Sequence, residues 1–378
     1  MKVAVVGAGG VGSAAARHLA REWHQVLLLE QFELDHDRGS SWGDSRVTRL
    51  TYSEPIYTGM MVEAYRLWEA LQSDADELLQ TRCGILVFGA PDHPEILGTE
   101  RSLRAHGVPY DRLEARDVAR RLPQFRLGPG EVGLWQADGG FLRASRCVRA
   151  NVRLALAHGA RLVSGARVTG LARGAAGVAL VLDGEPGPTV DRVVVTAGPW
   201  AGRLLADLGL PLEVTRQVYV FLEPTPDAAA LFEVDRFPVW LDVGADAYGF
   251  PRHGAIRGVK LAFFHGGTPA DPDRVDREVR EADREPLRAW ARRRLPDLTG
   301  RVTYEKVCLY TMTPDGDFVI GTLPDDPRVV YVAGLSGHGF KFTVLLGRIA
   351  ADLALGRDPG LDLARFAPAR FAAGSGRP

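Results

Sequence analysis

The first thirty residues contain the pattern that most restricts the fold of this chain. An apolar run at residues 2–6 is followed by a glycine motif at residues 7–12, a segment with helical periodicity and a second apolar run at residues 26–29. An acid, Glu30, ends this stretch and is suited to accept hydrogen bonds from a ribose. This order of a strand, a Gly-x-Gly-x-x-Gly motif, a helix, a second strand and an acid is typical of a dinucleotide-binding unit. We therefore predict a Rossmann-like α/β domain at the N-terminus.

The residues of the glycine motif have separate expected roles. Gly7 permits the tight turn, Gly9 lets the backbone approach a pyrophosphate, and Gly12 lets the helix pack on the strand. At the helix N-terminus, Gly10 and Val11 offer N–H groups and the positive end of the helix dipole to the anion. NAD and FAD share the same ADP half, so the motif leaves the choice between them open.

Composition excludes several classes of protein. The chain has 378 residues, of which 46% are hydrophobic and 25% charged, and its formal net charge is -1. These values are typical of a globular protein and give no general attraction to nucleic acid. No apolar run approaches the roughly 18 residues of a membrane span, and the N-terminus lacks the features of a signal peptide. We expect a cytoplasmic protein with no nucleic-acid or membrane partner, present as a monomer or weak oligomer.

The later segments predict a discontinuous domain organisation. A buried strand at residues 329–333 precedes a glycine-rich turn and a helix at 342–355, which resembles a second anion or cofactor cradle. Strand-like segments and a charged helix at 274–294 occupy much of the middle of the chain. We predict a cofactor domain of residues 1–80, 140–211 and 306–372, an inserted sheet-rich α+β substrate domain of residues 81–139 and 212–305, and a disordered tail at 374–378.

The polar loop at residues 38–49 is too elaborate for a simple connection between a strand and a helix, and such loops usually bind a ligand. Together with other segments, it makes the chain resemble the monomeric sarcosine oxidase family of D-amino-acid-oxidase-like flavoenzymes. The resemblance spans nearly the whole chain and rests on residues 7–12 with Glu30, Gly43-Asp44-Ser45-Arg46 with Arg49, Tyr248-Gly249-Phe250-Pro251, Val307-Cys308-Leu309-Tyr310-Thr311, and Gly337-His338-Gly339-Phe340-Lys341.

The resemblance implies an FAD-dependent oxidase of secondary amino acids that reduces dioxygen to hydrogen peroxide. Cys308 matches the cysteine that bonds covalently to the flavin, whereas Cys83 and Cys147 are expected to be structural. Lys260 matches the lysine that activates dioxygen. Arg49 and Lys341 match the pair that binds the substrate carboxylate.

The other site residues implied by the resemblance fall into three groups. Arg46, Tyr248 and His265 are expected to join Lys260 as catalytic residues; Tyr310, Trp240 and His338 are expected to contact substrate; and Ser40, Ser41, Trp42, Val168, Ala197, Gly198, Trp200, Gly337, Gly339 and Phe340, with Arg46 and Lys341, are expected to contact the cofactor.

Two positions depart from the family pattern. Trp42 stands where sarcosine oxidases have a histidine beside the flavin. Sarcosine oxidases also have a histidine four residues after the lysine. In this chain the residue four positions after Lys260 is Phe264, and the histidine, His265, comes one position later.

The expected reaction takes a neutral amine to an imine, which water then hydrolyses. Three alternatives remain open at this stage: a flavoenzyme that tailors a cyclic or primary amino acid in secondary metabolism, an NAD-dependent dehydrogenase, and a non-catalytic FAD-binding subunit. The expected partners are a small amine or amino acid and dioxygen, and no metal is expected.

Overall fold

The computed structural model describes residues 1–371 of the chain; the predicted tail at 374–378 and residue 372 lie outside the described residues. The α-helices are α1 (Gly10–Arg21), α2 (Pro55–Ala75), α3 (Pro94–Ala105), α4 (Ala115–Arg121), α5 (Ala144–Ala157), α6 (Ala201–Leu204), α7 (Glu281–Arg294) and α8 (Thr343–Ala354).

The strands are β1 (Lys2–Val6), β2 (Gln25–Leu29), β3 (Arg46–Thr48), β4 (Gln80–Arg82), β5 (Ile85–Gly89), β6 (Asp111–Glu114), β7 (Val132–Gln136), β8 (Gly140–Leu142), β9 (Arg161–Val163), β10 (Val168–Gly174), β11 (Gly177–Leu182), β12 (Glu185–Val190), β13 (Arg192–Val195), β14 (Glu213–Pro224), β15 (Val239–Asp242), β16 (Ala247–Phe250), β17 (Val259–Phe263), β18 (Thr268–Pro269), β19 (Leu298–Met312), β20 (Val319–Leu323) and β21 (Asp326–Ala333).

A six-stranded sheet carries the N-terminal unit. Its order is β20-β21-β13-β1-β2-β9, and all its neighbours are parallel except β20 and β21. Alternate residues of β1 face opposite layers: Val3 and Val5 join the core with α1, α5 and α8, while Ala4 and Val6 face the β10–β12 hairpins. Because β1 lies between β13 and β2, ligands are expected beyond the carboxyl ends of these strands. The predicted Rossmann-like α/β architecture is confirmed.

A nine-stranded mixed sheet forms the second layer of the molecule. Its order is β18-β14-β17-β16-β15-β5-β7-β6, and β19 pairs with β14 along most of its length. The apolar face of α7 covers one side through Leu287 and Trp290. β19 runs through the predicted domain boundary at residue 306, so the segment that carries Cys308 belongs to this sheet. The remaining division into two domains stays a prediction.

One predicted element differs in extent. The charged helix expected from residue 274 begins at Glu281, where the Arg280 amide donates to Asp283 Oδ2 at 2.9 Å and the Asp283 amide donates to the Arg280 carbonyl at 3.0 Å. The chain is interrupted between β4 and β5 at Gly84, where φ is +79° and a Cβ would lie 2.3 Å from the Trp135 ring. Within the described residues, no helix is long and apolar enough to cross a membrane.

Candidate active site

A cavity of about 950 Å³ lies where the carboxyl ends of the parallel strands face the nine-stranded sheet. Its lining includes the predicted cofactor residues Gly7, Gly9, Gly10, Val11, Glu30, Ser40, Ser41, Trp42, Arg46, Val168, Ala197, Gly198, Trp200, Cys308, Gly337, Gly339, Phe340 and Lys341. Gly12 does not line it. A Cβ at Gly12 would lie 1.8 Å from the Gly7 carbonyl oxygen, so Gly12 serves the close packing of helix on strand and not direct contact.

The glycine motif forms one end of the cavity. Gly7 has φ of +96°, and a Cβ there would lie 2.6 Å from the Thr196 carbonyl oxygen. The Gly10 amide donates to Ser41 Oγ at 3.0 Å, which places the loop after β2 against the helix N-terminus. A Cβ at Gly9 would lie 3.1 Å from the same Ser41 oxygen. Any side chain at position 9 would therefore fill the space beside the glycine motif, which we call the cradle at Gly9.

Glu30 is held rigidly beside the glycine motif. Its carboxylate accepts from the Ala8 amide at 2.9 Å and from the Phe32 amide at 3.1 Å. His36 Nε2 lies 3.3 Å from Glu30 Oε1, the oxygen that accepts from Phe32. Trp200 also lines this end, and its indole N–H donates to Asp273 at 2.7 Å. These residues fit the ribose and base end of a dinucleotide.

The polar loop at residues 38–49 wraps the Arg46 guanidinium. Arg46 donates to the carbonyl oxygens of Ser40, Trp42 and Ser45 at 2.9, 2.8 and 2.8 Å. Ser40 Oγ in turn donates to the Leu309 carbonyl at 2.6 Å, so the loop is attached to β19 beside Cys308. The many small polar residues of the loop supply the carbonyls that keep Arg46 directed into the cavity.

Cys308 lines the cavity from β19. Burial raises the pKa of its thiol, while the positive charges of Arg46, Lys260 and Arg277 lower it. Burial is the larger effect, so the pKa of the Cys308 thiol lies above its ordinary value, and the neighbouring basic groups offset part of the cost of forming the nucleophilic thiolate. Cys83 and Cys147 lie outside the cavity lining, and burial raises the pKa of the Cys83 thiol to about 11.

Lys260 is almost completely buried on the central strand β17. Its ammonium donates to Ser45 Oγ at 3.1 Å and to the Ser45 carbonyl at 3.4 Å. Burial, followed by repulsion from Arg46, holds the pKa of Lys260 well below 10.5. The Lys260 amino group therefore lies in the cavity close to Arg46 and Cys308, where burial and Arg46 disfavour its protonated form.

Arg49 and Lys341 converge on Tyr52 at another part of the cavity. The Arg49 guanidinium lies 4.0 Å from the centre of the Tyr52 ring and donates to the Thr51 carbonyl. Lys341 donates to the Tyr52 hydroxyl and to the His338 carbonyl, both at 2.9 Å. Burial and the charge of Arg49 hold the pKa of Lys341 well below 10.5.

Two arginines and two lysines thus face one cavity without an acidic partner among the described residues. Across residues 1–371, no carboxylate oxygen lies within 4.0 Å of a side-chain nitrogen of Arg46, Arg49, Lys260 or Lys341. The described residues also contain no cluster of His, Cys, Asp and Glu that could hold a metal ion. The cavity is therefore suited to anionic ligands.

Two tyrosines and a histidine complete the predicted substrate wall. The hydroxyls of Tyr248 and Tyr310 lie 3.1 Å apart, and burial raises the pKa of Tyr248 to about 12. His338 contacts the Tyr52 hydroxyl through Nδ1 at 3.2 Å and the Gly316 carbonyl through Nε2 at 3.0 Å. Burial and the charge of Lys341 lower the pKa of His338 to about 3, so its ring is neutral at physiological pH.

The prediction that Trp240 contacts substrate is wrong. Its side chain is fully buried on the far side of the nine-stranded sheet, where it stacks on Trp290 with ring centres 4.3 Å apart. Its neighbour Leu241 points to the opposite face and lines the cavity. The structure therefore assigns Trp240 to the core under α7.

His265 lies only at the cavity mouth. Its ring is 53% exposed and its Nδ1 lies 3.1 Å from Asp246, which is also exposed. Phe264 lines the cavity instead, with its ring centre 6.3 Å from that of Tyr310. The expected catalytic position of His265 is therefore not supported by the geometry.

We expect kcat/KM of the His265→Ala variant to stay within roughly a factor of two of the wild-type value. This factor corresponds to about 0.5 kcal/mol, which is the usual effect of replacing an exposed side chain. Phe264→Ala, which removes a ring from the cavity wall, is the matched variant and should change KM. Steady-state kinetics on both variants checks this expectation. A loss of a hundredfold or more in His265→Ala would restore its catalytic role.

Sequence reasoning missed Tyr52, Tyr219 and Phe264, which also line the cavity. Tyr52 follows Arg49 by three residues and could have been grouped with it. Tyr219 belongs to a strand that the apolar alternation predicted, but nothing in the sequence indicates that this strand lies next to the strand of Lys260.

Comparison with known proteins gives concordant matches. A family model described as DAO, FAD dependent oxidoreductase, matches residues 2–353. The chain is 37% identical over 377 residues to the monomeric sarcosine oxidase of Streptomyces avermitilis, with 98% of each chain covered. It is 31% identical over 371 residues to the N-methyl-L-tryptophan oxidase of Citrobacter koseri, with 97% and 98% covered.

Solved structures agree in fold. NikD, described as an unusual amino acid oxidase essential for nikkomycin biosynthesis, superposes with a TM-score of 0.84 at 30% identity and covers 97% of this chain and 96% of its own. Glycine oxidase from Geobacillus kaustophilus superposes with a TM-score of 0.83 at 20% identity, covering 98% and 99% of the two chains.

Proposed function

Because this chain belongs to the DAO family of FAD-dependent oxidoreductases, we propose that it oxidises the C–N bond of a secondary amino acid to an imine and passes the electrons to dioxygen, forming hydrogen peroxide. Relatives named as oxidases of sarcosine and N-methyl-L-tryptophan support this substrate class. The observation that carries the proposal is the convergence of the half-buried Arg49 and the buried Lys341, both without an acidic partner among the described residues, in the same cavity as Lys260.

The residues present fit FAD. The cradle at Gly9 and the N-terminus of α1 suit the pyrophosphate, Glu30 suits the ribose, and Arg46 and Cys308 would lie near the ring system. When bound, FAD would supply the ring that accepts a hydride equivalent from the substrate carbon and passes the two electrons on to dioxygen; the proton of that hydride equivalent and the proton lost by the amine nitrogen balance the two protons of hydrogen peroxide.

Arg49 and Lys341 would bind the substrate carboxylate. A buried basic group beside a half-buried one is costly to keep without an anion, so a carboxylate that enters between Arg49 and Lys341 would be stabilised more than by an isolated contact. Arg49 offers a planar fork of donors and Lys341 a compact charge. Tyr52 contacts both, which fixes their separation.

The same cations favour the reactive form of the substrate amine. A positive environment disfavours an ammonium group, and so lowers the pKa of the bound amine. The neighbouring His338 stays neutral because its own pKa is lowered to about 3, so it adds no further charge. Lys260 would stabilise negative charge that develops on oxygen during the reduction of dioxygen.

We further propose that FAD is attached covalently through Cys308 Sγ. Acid denaturation of the purified protein is expected to leave the yellow chromophore on the polypeptide, because a thioether survives loss of the fold. Cys308→Ala should release all its flavin into the supernatant. Cys83→Ala is the matched control, since Cys83 lies outside the cavity lining, and should retain its flavin. Complete release from the wild-type protein would exclude covalent attachment.

A peroxide-coupled screen of N-methyl, cyclic and primary amino acids, each beside its decarboxylated amine, tests the proposed reaction. Turnover of a secondary amino acid with one peroxide per substrate supports it. Absence of peroxide with every compound would contradict it. A cyclic or primary amino acid is the second candidate substrate class, because the similarity to NikD, described as an unusual amino acid oxidase, supports an amino-acid substrate without restricting it to a secondary amine.

A further inference from the structure

Lys260 is a buried charge with few compensating contacts. Its side chain is 4% exposed, and its only hydrogen bonds among the described residues are the two to Ser45. The longer of these measures 3.4 Å and contributes little. A buried ammonium loses its proton unless nearby groups stabilise the charge.

Aromatic rings surround this ammonium on the adjacent strands. Lys260 Nζ lies 4.2 Å from the centre of the Tyr219 ring and 5.0 Å from that of Phe250. Phe250 on β16 and Phe221 on β14 are the direct cross-strand partners of Lys260. Tyr219 stands two residues from Phe221 and so on the same face, in the diagonal position that aromatic side chains can bridge.

The other charged and titratable groups around Lys260 do not neutralise it. Burial and Arg46 lower the pKa of Lys260, whereas Cys308 and Asp44 raise it as the smaller effects. Burial lowers the pKa of the nearby His253 to about 4, which leaves that ring uncharged. Burial also raises the pKa of the Tyr219 hydroxyl, so Tyr219 offers its ring face and not a phenolate.

We infer that the ring of Tyr219 holds the Lys260 ammonium in place and in its charged form through a cation–π contact, which makes Tyr219 a positioning residue for the step that reduces dioxygen. The inference rests on the proposed function of Lys260. Cation–π contacts are strongest where both groups are removed from water, as Lys260 and Tyr219 are here.

The chain is well suited to a direct test, because only four of its 46 basic residues are lysines: Lys2, Lys260, Lys306 and Lys341. Labelling with [ε-¹³C]lysine gives four resonances in the FAD-containing enzyme, and Lys260→Met assigns one of them to residue 260. Titration of that resonance then reports the pKa of Lys260 without any measurement of turnover.

A series at position 219 varies the ring face at nearly constant shape. Tyr219→Phe keeps the face and should leave the pKa of Lys260 unchanged. Tyr219→pentafluorophenylalanine withdraws electrons from the face and should lower this pKa by about one unit, as expected for a desolvated contact. Tyr219→Leu should lower it as well; the fluorinated variant decides the question if Tyr219→Leu does not fold. The pH at which flavin reoxidation slows should move down by the same amount.

An equal pKa of Lys260 in Tyr219→Phe and Tyr219→pentafluorophenylalanine would overturn the inference about Tyr219 alone. A Lys260→Met variant that reoxidises its flavin at the wild-type rate would instead overturn the proposed function of Lys260, and with it the positioning role. The two failures are therefore separate observations.

Discussion

The Lys260→Met variant is expected to reoxidise its reduced flavin about 10²–10³-fold more slowly than the wild type, while flavin reduction by substrate changes only a few-fold. Negative charge develops on oxygen only in the oxidative half-reaction, and Lys260 is a buried cation directed into the cavity. Methionine keeps the length and apolar character of the side chain, so the loss is mainly that of the charge. Stopped-flow absorbance of the two half-reactions measures both rates.

Lys2→Met is the control for this measurement, because Lys2 is exposed on the outer end of β1. It should match the wild type in both half-reactions. Equal slowing of reduction and reoxidation in Lys260→Met would assign Lys260 to another task, such as holding the loop around Ser45, to which it donates.

The N-terminal unit was predictable because its signals are local. The turn at Gly7, the contact of Gly12 with the strand and the acid at Glu30 all depend on residues within thirty positions of one another. The glycine motif could not distinguish NAD from FAD, since the shared half of the two cofactors binds there. The family match resolves this choice in favour of FAD.

Residues on the nine-stranded sheet were harder to place. Trp240 and Leu241 are adjacent in a strand that is apolar on both faces, so no alternation of polar and apolar residues shows which one faces the cavity. Side chains alternate in the same way after Lys260, so Phe264 faces the cavity. His265 follows the end of β17 at Phe263 and lies at the cavity mouth. A shift of one residue exchanges the two faces, and sequence alone does not fix that register.

Contacts between distant segments could not be predicted either. Ser45 and Lys260 meet because β17 lies against the loop that precedes β3. These two strands belong to different sheets, so the contact depends on tertiary packing and not on spacing in the chain. The helix predicted from residue 274 begins later, at Glu281, for a related reason. Arg277 donates to the Arg38 carbonyl at 2.8 Å, so the segment before Glu281 is extended across the cofactor unit despite its helix-like charge pattern.

Replacement of either Arg49 or Lys341 by alanine is expected to lower kcat/KM for an amino-acid substrate roughly 30- to 800-fold. This corresponds to a loss of about 2–4 kcal/mol of transition-state binding free energy. In the proposed role each would make a charge-assisted contact with the substrate carboxylate, so truncation of one would leave that carboxylate with a single partner. Arg49→Ala and Lys341→Ala should therefore behave alike with carboxylate substrates. Steady-state kinetics with a secondary amino acid and with its decarboxylated amine measures the difference.

The decarboxylated amine is the internal control, because it keeps the reacting C–N bond and lacks the group that the pair binds. Its kcat/KM in the wild type should already be low, and neither substitution should lower it much further. Lys341→Arg offers a second comparison: it restores the charge but not the compact shape that contacts Tyr52, so partial recovery for the amino acid is expected. If both substitutions weaken the amino acid and the amine equally, the pair does not bind a carboxylate, and the two cations must instead support the cofactor or the fold around Tyr52.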